Sequence, residues 1–338
     1  MIPIAIVGLG NCAAALLEGI QYLREEPDAP SGVITPLIGG YKAGDIEPVV
    51  AFDIDREKVG KPIGEAAEIG NQRRMNNPLT FDAVVHSGVI SDGLSATSVV
   101  KSIEGGATID FIAAKIKESG AKIVVNYLPV GSTEATRQYA NAALLAGAAF
   151  VNCIPVKVAR DPGLAEQFAK ANLPLVGDDI KSQYGATILH RALARIAEDR
   201  GIAIENTYQL NVGGNADFRN MLDTSRLKDK KESKTGSVTD VVAVNDEDIH
   251  IGPSDFIPHL GDTKIAFINL SMTGFAGAPI DLEARLKVSD SPNSAGIVVE
   301  AVRYAAKALD ENIGGVLDDA SAWLMKAPRN HDGADVAA

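Results

Sequence analysis

Short apolar runs alternate with helix-spaced segments through the first two hundred residues. The run "IPIAIVG" ends on glycine and reads as a buried strand. "NCAAALLEGIQYL" follows with helical spacing, and "EPVVAFDID" reads as a second strand. "KIVVNYLPVGS", "AFVNCIP" and "LPLVGDDI" are further short buried strands. Between two of them lies the helical stretch "STEATRQYANAALLAGA". There Ser132 is placed to cap the first turn and Gly147 to end the last. Strands alternating with helices predict an α/β fold, a Rossmann-type doubly wound parallel sheet. Past residue 200 the pattern changes. "AIENTYQLNV", "VTDVVAV", "KIAFINLSM" and "LEARLKVSD" are strand-like with few helices between them, which predicts an inserted α+β unit with a more open sheet. "SPNSAGIVVEAVRYAAKALDEN" is then a long helix, with Ser291 as N-cap and Pro292 at its first position, able to return the chain to the first unit.

The expected organisation is therefore 1–200 for the nucleotide-binding type of sheet, 201–290 for the α+β unit, 291–328 for the returning helix and segment, and 329–338 for a disordered tail, small and polar in "RNHDGADVAA". With 338 residues, 46% of them hydrophobic, the chain can bury proper cores for two such units. Charge narrows the partners. Asp and Glu number 44 against 32 Lys and Arg, a net −12, which argues against nucleic acid or an anionic membrane as partner. An anionic ligand must then be drawn by a local patch. Cys12 and Cys153 show neither metal spacing nor a disulfide framework, which fits a reducing cytoplasm. The opening "MIPIAIVGLG" is too short to span a membrane and lacks the cationic lead of a signal peptide.

Gly8-Leu9-Gly10-Asn11-Cys12-Ala13 reads G-x-G-x-x-A, directly after a strand and opening a helix. Gly8 allows the tight turn, Gly10 lets a diphosphate approach the backbone, and Ala13 lets the helix pack closely. The diphosphate would rest on the helix N-terminus, where free N–H groups and the dipole favour anions. Asp53, at the end of the next strand, is the carboxylate expected on the adenosine ribose, and it favours NAD over NADP. It stands further on than the usual spacing of about 20 residues. "EEPDAPSGVITPLIGGYKAGD" has the Pro and Gly content of a loop that would take up the excess.

A dinucleotide fold does not name a reaction. "GDDIKSQYGAT" puts two aspartates and Ser182 between a strand and a helix, and "QLNVGGNADFRNM" supplies Asn211, Asn215 and Asp217 around a glycine pair. "RLKDKKESK" then packs five cations into nine residues of an acidic chain, and Lys264 and Lys326 follow. Taken singly, each lysine reads as a solvated surface residue. Gathered beside glycines and asparagines, they suggest a site where backbone and cations meet an anionic ligand.

Together "GLGNCAAAL", "GDDIKSQYGAT", "NVGGNADF", "KESKTGSV", "GDTKIAF" and "SPNSAG" resemble the bacterial and archaeal branch of the inositol-3-phosphate (myo-inositol-1-phosphate) synthases, from the first strand to about Pro328. The resemblance implies an NAD-dependent isomerase, generally tetrameric, that turns glucose 6-phosphate into inositol phosphate. C5 is oxidised, an enolate forms at C6, its carbon closes on the C1 aldehyde, and the hydride returns. The 201–290 unit would carry catalysis and tetramer contacts, giving a homotetramer. By motif, Lys264 and Lys326 would polarise the C5 and C1 oxygens, and Lys230 would assist proton transfer. Lys234, Ser182, Asn211 and Asn215 would hold the phosphate. Asp217 would orient a lysine or a hydroxyl. Asp179 would lie near the nicotinamide, joining Gly8, Gly10, Asn11, Cys12, Asp53 and Asn126 as the cofactor set. Lys228 and Lys231 keep the solvated reading. Glu300 stands where an acid facing the site is expected. The family also implies a divalent or a monovalent cation, for which no ligand cluster stands out in the sequence. The competing readings are an NAD-linked dehydrogenase of the dihydrodipicolinate-reductase or sugar-oxidoreductase type, and a catalytically silent NAD-binding regulator.

Overall fold

The computed structural model describes residues 1–27, 32–223 and 245–330. Lys228, Lys230, Lys231 and Lys234, the strand expected at "VTDVVAV" and residues 331–338 of the expected tail lie outside them.

Seven parallel strands form the first sheet. They are β1 (Ile2–Val7), β2 (Ile46–Asp53), β3 (Val85–Ser87), β4 (Ile123–Asn126), β5 (Ala149–Asn152), β6 (Pro174–Val176) and β11 (Gly315–Val316), in the order β11-β6-β5-β4-β1-β2-β3. The order reverses beside β1, between β4 and β2. There ligands bind in such sheets, outside the strands' carboxyl ends. One face is covered by α1 (Asn11–Glu25) and the long α8 (Asp290–Asp310), around Leu16, Leu17, Val298 and Val302. The other face holds α3 (Ile109–Ser119) and α4 (Thr133–Ala146), with Ile112, Ile116, Tyr139 and Phe150 in its core. The central strands are buried on both faces, which explains why they read as unbroken apolar runs.

The second sheet has four strands in the order β10-β9-β7-β8. β7 is Ala203–Gly213, β8 Ile249–Phe256, β9 Thr263–Thr273 and β10 Pro279–Ser289. β9 runs antiparallel to both β7 and β10, while β8 is parallel to β7. Ala266, Ile268, Leu270 and Met272 alternate along β9 and pack with Ala186, Ala194 and Ala197 of α6 (Ala186–Asp199). The helix before residue 200 thus belongs to the core of the second sheet, and the change of layer falls near Gly185.

Two helix starts differ from the sequence reading. α4 does begin after Ser132, and Gly147 ends it in the left-handed region (φ 74), but the Ser132 side chain makes no capping bond. Asp92, from a loop, accepts instead from the Glu134 and Ala135 N–H groups at 2.9 and 2.8 Å. α8 starts at Asp290, with Ser289 and not Ser291 at its N-cap. Asp262 receives the Ser291 N–H at 3.0 Å and the Ser291 hydroxyl at 2.6 Å, so a carboxylate from the turn before β9 stands in for a local cap. No described helix is long and apolar enough to cross a membrane.

Candidate active site

A cavity of about 490 Å³ runs from the glycine turn after β1 to the end of the second sheet. At its first end, Gly8 has φ +84, and a Cβ there would lie 3.0 Å from the Tyr127 carbonyl oxygen. A Cβ at Gly10 would meet nothing within 4 Å. Gly10 also N-caps α1 with no side-chain cap, so the first turn of the helix opens on the cavity. The residues here fit a dinucleotide: a backbone cradle with open space above it, a helix N-terminus and a carboxylate at the next strand. Asp53 has a second duty. Its oxygens accept from the Leu9 and Asp55 N–H groups, each at 2.8 Å, and so fix the glycine turn itself. Asn11 Oδ1 accepts from the Gln72 N–H at 2.9 Å. Burial, then Asp290, pushes the Cys12 thiol up to about 12, which leaves it neutral and unreactive as a nucleophile.

Asn126 departs from expectation. It ends β4, as a cofactor contact should, but it does not line the cavity. It is fully buried, donating to Asn152 Oδ1 at 2.9 Å and accepting from the Leu128 N–H at 3.3 Å. An amide at a central strand end is here spent on joining β4 to β5.

The two neighbouring aspartates after β6 part company. Asp178 is buried under the loop after β5, where it accepts from Asn152 and from backbone N–H groups of residues 158 to 160. Asp179 turns to the cavity. The C-terminal segment zips along it: Lys326 N donates to the Asp179 carbonyl at 2.6 Å, and Ala327 N to that of Asp178 at 3.1 Å. This brings Lys326 Nζ to 3.1 Å from Asp179 Oδ1. Ser182 lines the wall just beyond.

The second sheet supplies the far end. Side chains on a strand alternate, so Lys264 shares the α6-facing side of β9 with Ala266 and reaches past the strand end. Its ammonium lies 3.1 Å from Asp290 Oδ1, at the first turn of α8, where a carboxylate also suits the helix dipole. Burial pulls Lys264 down, but Asp290, then Asp217 and Asp179, outweigh it and hold the lysine above its usual value. Asn215 caps α7 (Ala216–Asn220) by accepting from the Asp217 and Phe218 N–H groups. Its amide donates to Asp262 at 3.2 Å and to Asp290 at 3.3 Å. Asp217 and Asn211 also line this end, and Asn211 donates to the Gly252 carbonyl at 2.9 Å.

Twelve residues expected at the site thus share one cavity wall, and Asn126 stands behind it. Glu300 does not reach it. It lies ten residues, about 15 Å, along α8 from Asp290, and is buried in a 2.6 Å pair with Arg303. Sequence reasoning passed over Asp290, although it stands directly before the quoted "SPNSAG", and passed over Gln209 and Lys58. Among the described residues no group of three or more His, Cys, Asp or Glu is placed to hold a metal.

The sequence profile described as myo-inositol-1-phosphate synthase matches residues 185–291. The inositol-3-phosphate synthase of Corynebacterium glutamicum is 46% identical, over 99% of this chain and 96% of its own. That of Mycolicibacterium smegmatis is 44% identical, over 99% and 95%. Among solved structures, a myo-inositol-1-phosphate synthase-related protein from Thermotoga maritima superposes with TM-score 0.83 at 27% identity, over 97% of this chain and 93% of that one.

Proposed function

The chain belongs to the inositol-3-phosphate synthase family, and from that premise we propose that it converts D-glucose 6-phosphate to 1D-myo-inositol 3-phosphate with no net use of NAD. The observation that carries this reading is a pair of lysine–carboxylate couples, Lys264–Asp290 and Lys326–Asp179, on one cavity with the glycine turn. An NAD-linked dehydrogenase needs a cofactor site and one acid–base pair. An aldol closure needs cationic help at two oxygens. NAD, when bound, accepts the C5 hydride and returns it to the ring ketone.

The chain's own residues supply the rest. Lys264 and Lys326 would meet the negative charge at the C5 and C1 oxygens with preorganised ammonium groups. Their carboxylate partners aim both, and Asp290 helps keep Lys264 charged. Lys230 is assigned proton transfer and Lys234 the phosphate on sequence alone. Ser182 and Asn211 support the phosphate subsite, while Asn215 can donate to it only by leaving Asp262 and Asp290. Asp217 acts on Lys264 through its charge. An activating cation would draw on Asp179 and the substrate phosphate. The free cysteines Cys12 and Cys153 accord with a cytoplasmic enzyme. Leu210, Val212, Ile265 and Phe267 share the outer face of the second sheet, which supports that face as the tetramer contact.

Incubation with glucose 6-phosphate in large excess over NAD tests the reading. The expected product is a cyclic polyol phosphate without a free aldehyde, formed with no matching rise in NADH absorbance. Stoichiometric NADH with an oxidised sugar phosphate would replace this reading with the dehydrogenase.

A further inference from the structure

Lys58 follows β2 and is 7% exposed. Its ammonium donates to the Leu9 carbonyl at 2.6 Å, inside the Gly8–Gly10 turn, and it lines the cavity there. Asn71 Nδ2 donates to the same oxygen at 2.8 Å. No carboxylate of the described residues pairs with Lys58, whereas Lys264 and Lys326, further along the same wall, each have one. An ammonium carries three donors, and one neutral carbonyl uses one of them. A buried cation without a counterion is costly unless something anionic comes to it.

The turn beside it lacks a full positive charge. A helix N-terminus offers roughly half a charge, and Asp53, tied to Leu9 N at 2.8 Å, adds a negative one. A dinucleotide diphosphate brings two negative charges to this place. We propose that Lys58 is an anion-binding residue for that diphosphate, its two remaining N–H groups and its charge completing the cradle that the glycine turn begins. The proposal rests on the NAD reading of the cavity and adds to it a residue outside the glycine motif. Lys58 could instead be only a tether for Leu9, and the two roles separate by charge. Lys58→Gln keeps an N–H donor and loses the charge, while Lys58→Arg keeps the charge.

The test is a binding titration of the full chain with NAD, NADP, ADP-ribose and adenosine, the last by competition, together with the melting temperature of each ligand-free variant. Lys58→Gln should weaken NAD and ADP-ribose by roughly 10-fold or more, the worth of a charge-assisted bond. It should leave adenosine affinity and melting temperature unchanged and flatten the salt dependence of NAD binding. Lys58→Arg should keep most of the affinity. Unchanged ADP-ribose affinity in Lys58→Gln, with Asp53→Ala still weakening NAD, would overturn the role of Lys58 and leave the NAD site standing. Equal losses for adenosine and ADP-ribose with a lowered melting temperature would make Lys58 a tether. An effect on NADP alone would assign the cation to a 2′-phosphate. Wild-type protein that bound none of the four would overturn both the proposal and the NAD reading beneath it.

Discussion

Lys264 faces the cavity already paired, and its raised pKa makes it a resident cation at neutral pH, not a resident base. If it meets charge that forms only during reaction, Lys264→Ala should cut turnover by on the order of 10²–10³-fold, with NAD affinity nearly kept. Asp290→Asn is the sharper probe. Burial lowers Lys264 and Asp290 raises it, so removing the carboxylate's charge lets the lysine lose its proton at lower pH. The alkaline limb of the pH–rate profile should move down; an unmoved limb would mean that Lys264 does not govern it. His190 makes a different case. It is fully buried, and burial lowers its pKa from 6.5 to about 4. Its Nε2 sits 2.8 Å from Thr207 Oγ1, which itself donates to the Asn269 carbonyl, so Nε2 carries a proton, and Gln209 opposes the effect of burial only in part. Between about pH 6.5 and 4 the unfolded chain takes up a proton that the folded one refuses. His190 therefore contributes stability that is full above pH 6.5 and falls as pH drops toward 4, a total of roughly 3 kcal/mol. Unfolding free energies across that range should fall less steeply in His190→Gln than in wild type. Equal slopes would mean that the ring is not held neutral. Of these groups the sequence marked Lys264 by its motif. It gave no sign of His190, a helix residue whose partner Thr207 comes from β7.

At the level of elements, local pattern was a good guide where local forces decide. Strands buried on both faces showed themselves as apolar runs, and Gly147 ended its helix as a left-handed glycine should. The pattern misled where a distant residue completes the element. Ser132 has the side chain of a cap, yet Asp92 does the capping from forty residues away. Asp92→Ala should therefore cost about 1 kcal/mol of stability, and Ser132→Ala should be close to neutral in chemical denaturation; the reverse ranking would restore Ser132 as the cap. β8 was missed: Gly252 and Pro253 break a strand pattern, and an edge strand tolerates that pair. β7 inverts the usual reading. Its polar Thr207, Gln209 and Asn211 are buried on the α6-facing side, while Tyr208 is 36% exposed. Alternation alone would have pointed Leu210 and Val212 inward; Gln209 and Asn211 line the site instead.

On the scale of the whole molecule, neither sheet holds the site alone. The parallel sheet gives the glycine turn, Asp53 and Asp179, the second sheet gives Asn211 and Lys264, and α8 and the C-terminal segment supply Asp290 and Lys326. The alternation of strand and helix made the first sheet legible. The assembly was not, because it depends on chain separations no local pattern encodes: residues 179 and 326 meet because the C-terminal segment pairs along residues 178 to 181. This arrangement makes a demand on the chemistry. A hydride removed from C5 must return to the same carbon after the ring has closed, and throughout that interval the sugar must stay between the glycine turn and the lysine pairs. A continuous cavity lined from both sheets would let both partners stay bound. Glucose 6-phosphate deuterated at C5 should therefore give inositol phosphate that keeps its deuterium, even with unlabelled NADH added in excess to the solution. Mass spectrometry of the product decides it. Washout of the label into free NADH would mean that the reduced cofactor leaves between the two hydride transfers, and that the cavity does not hold both partners through ring closure.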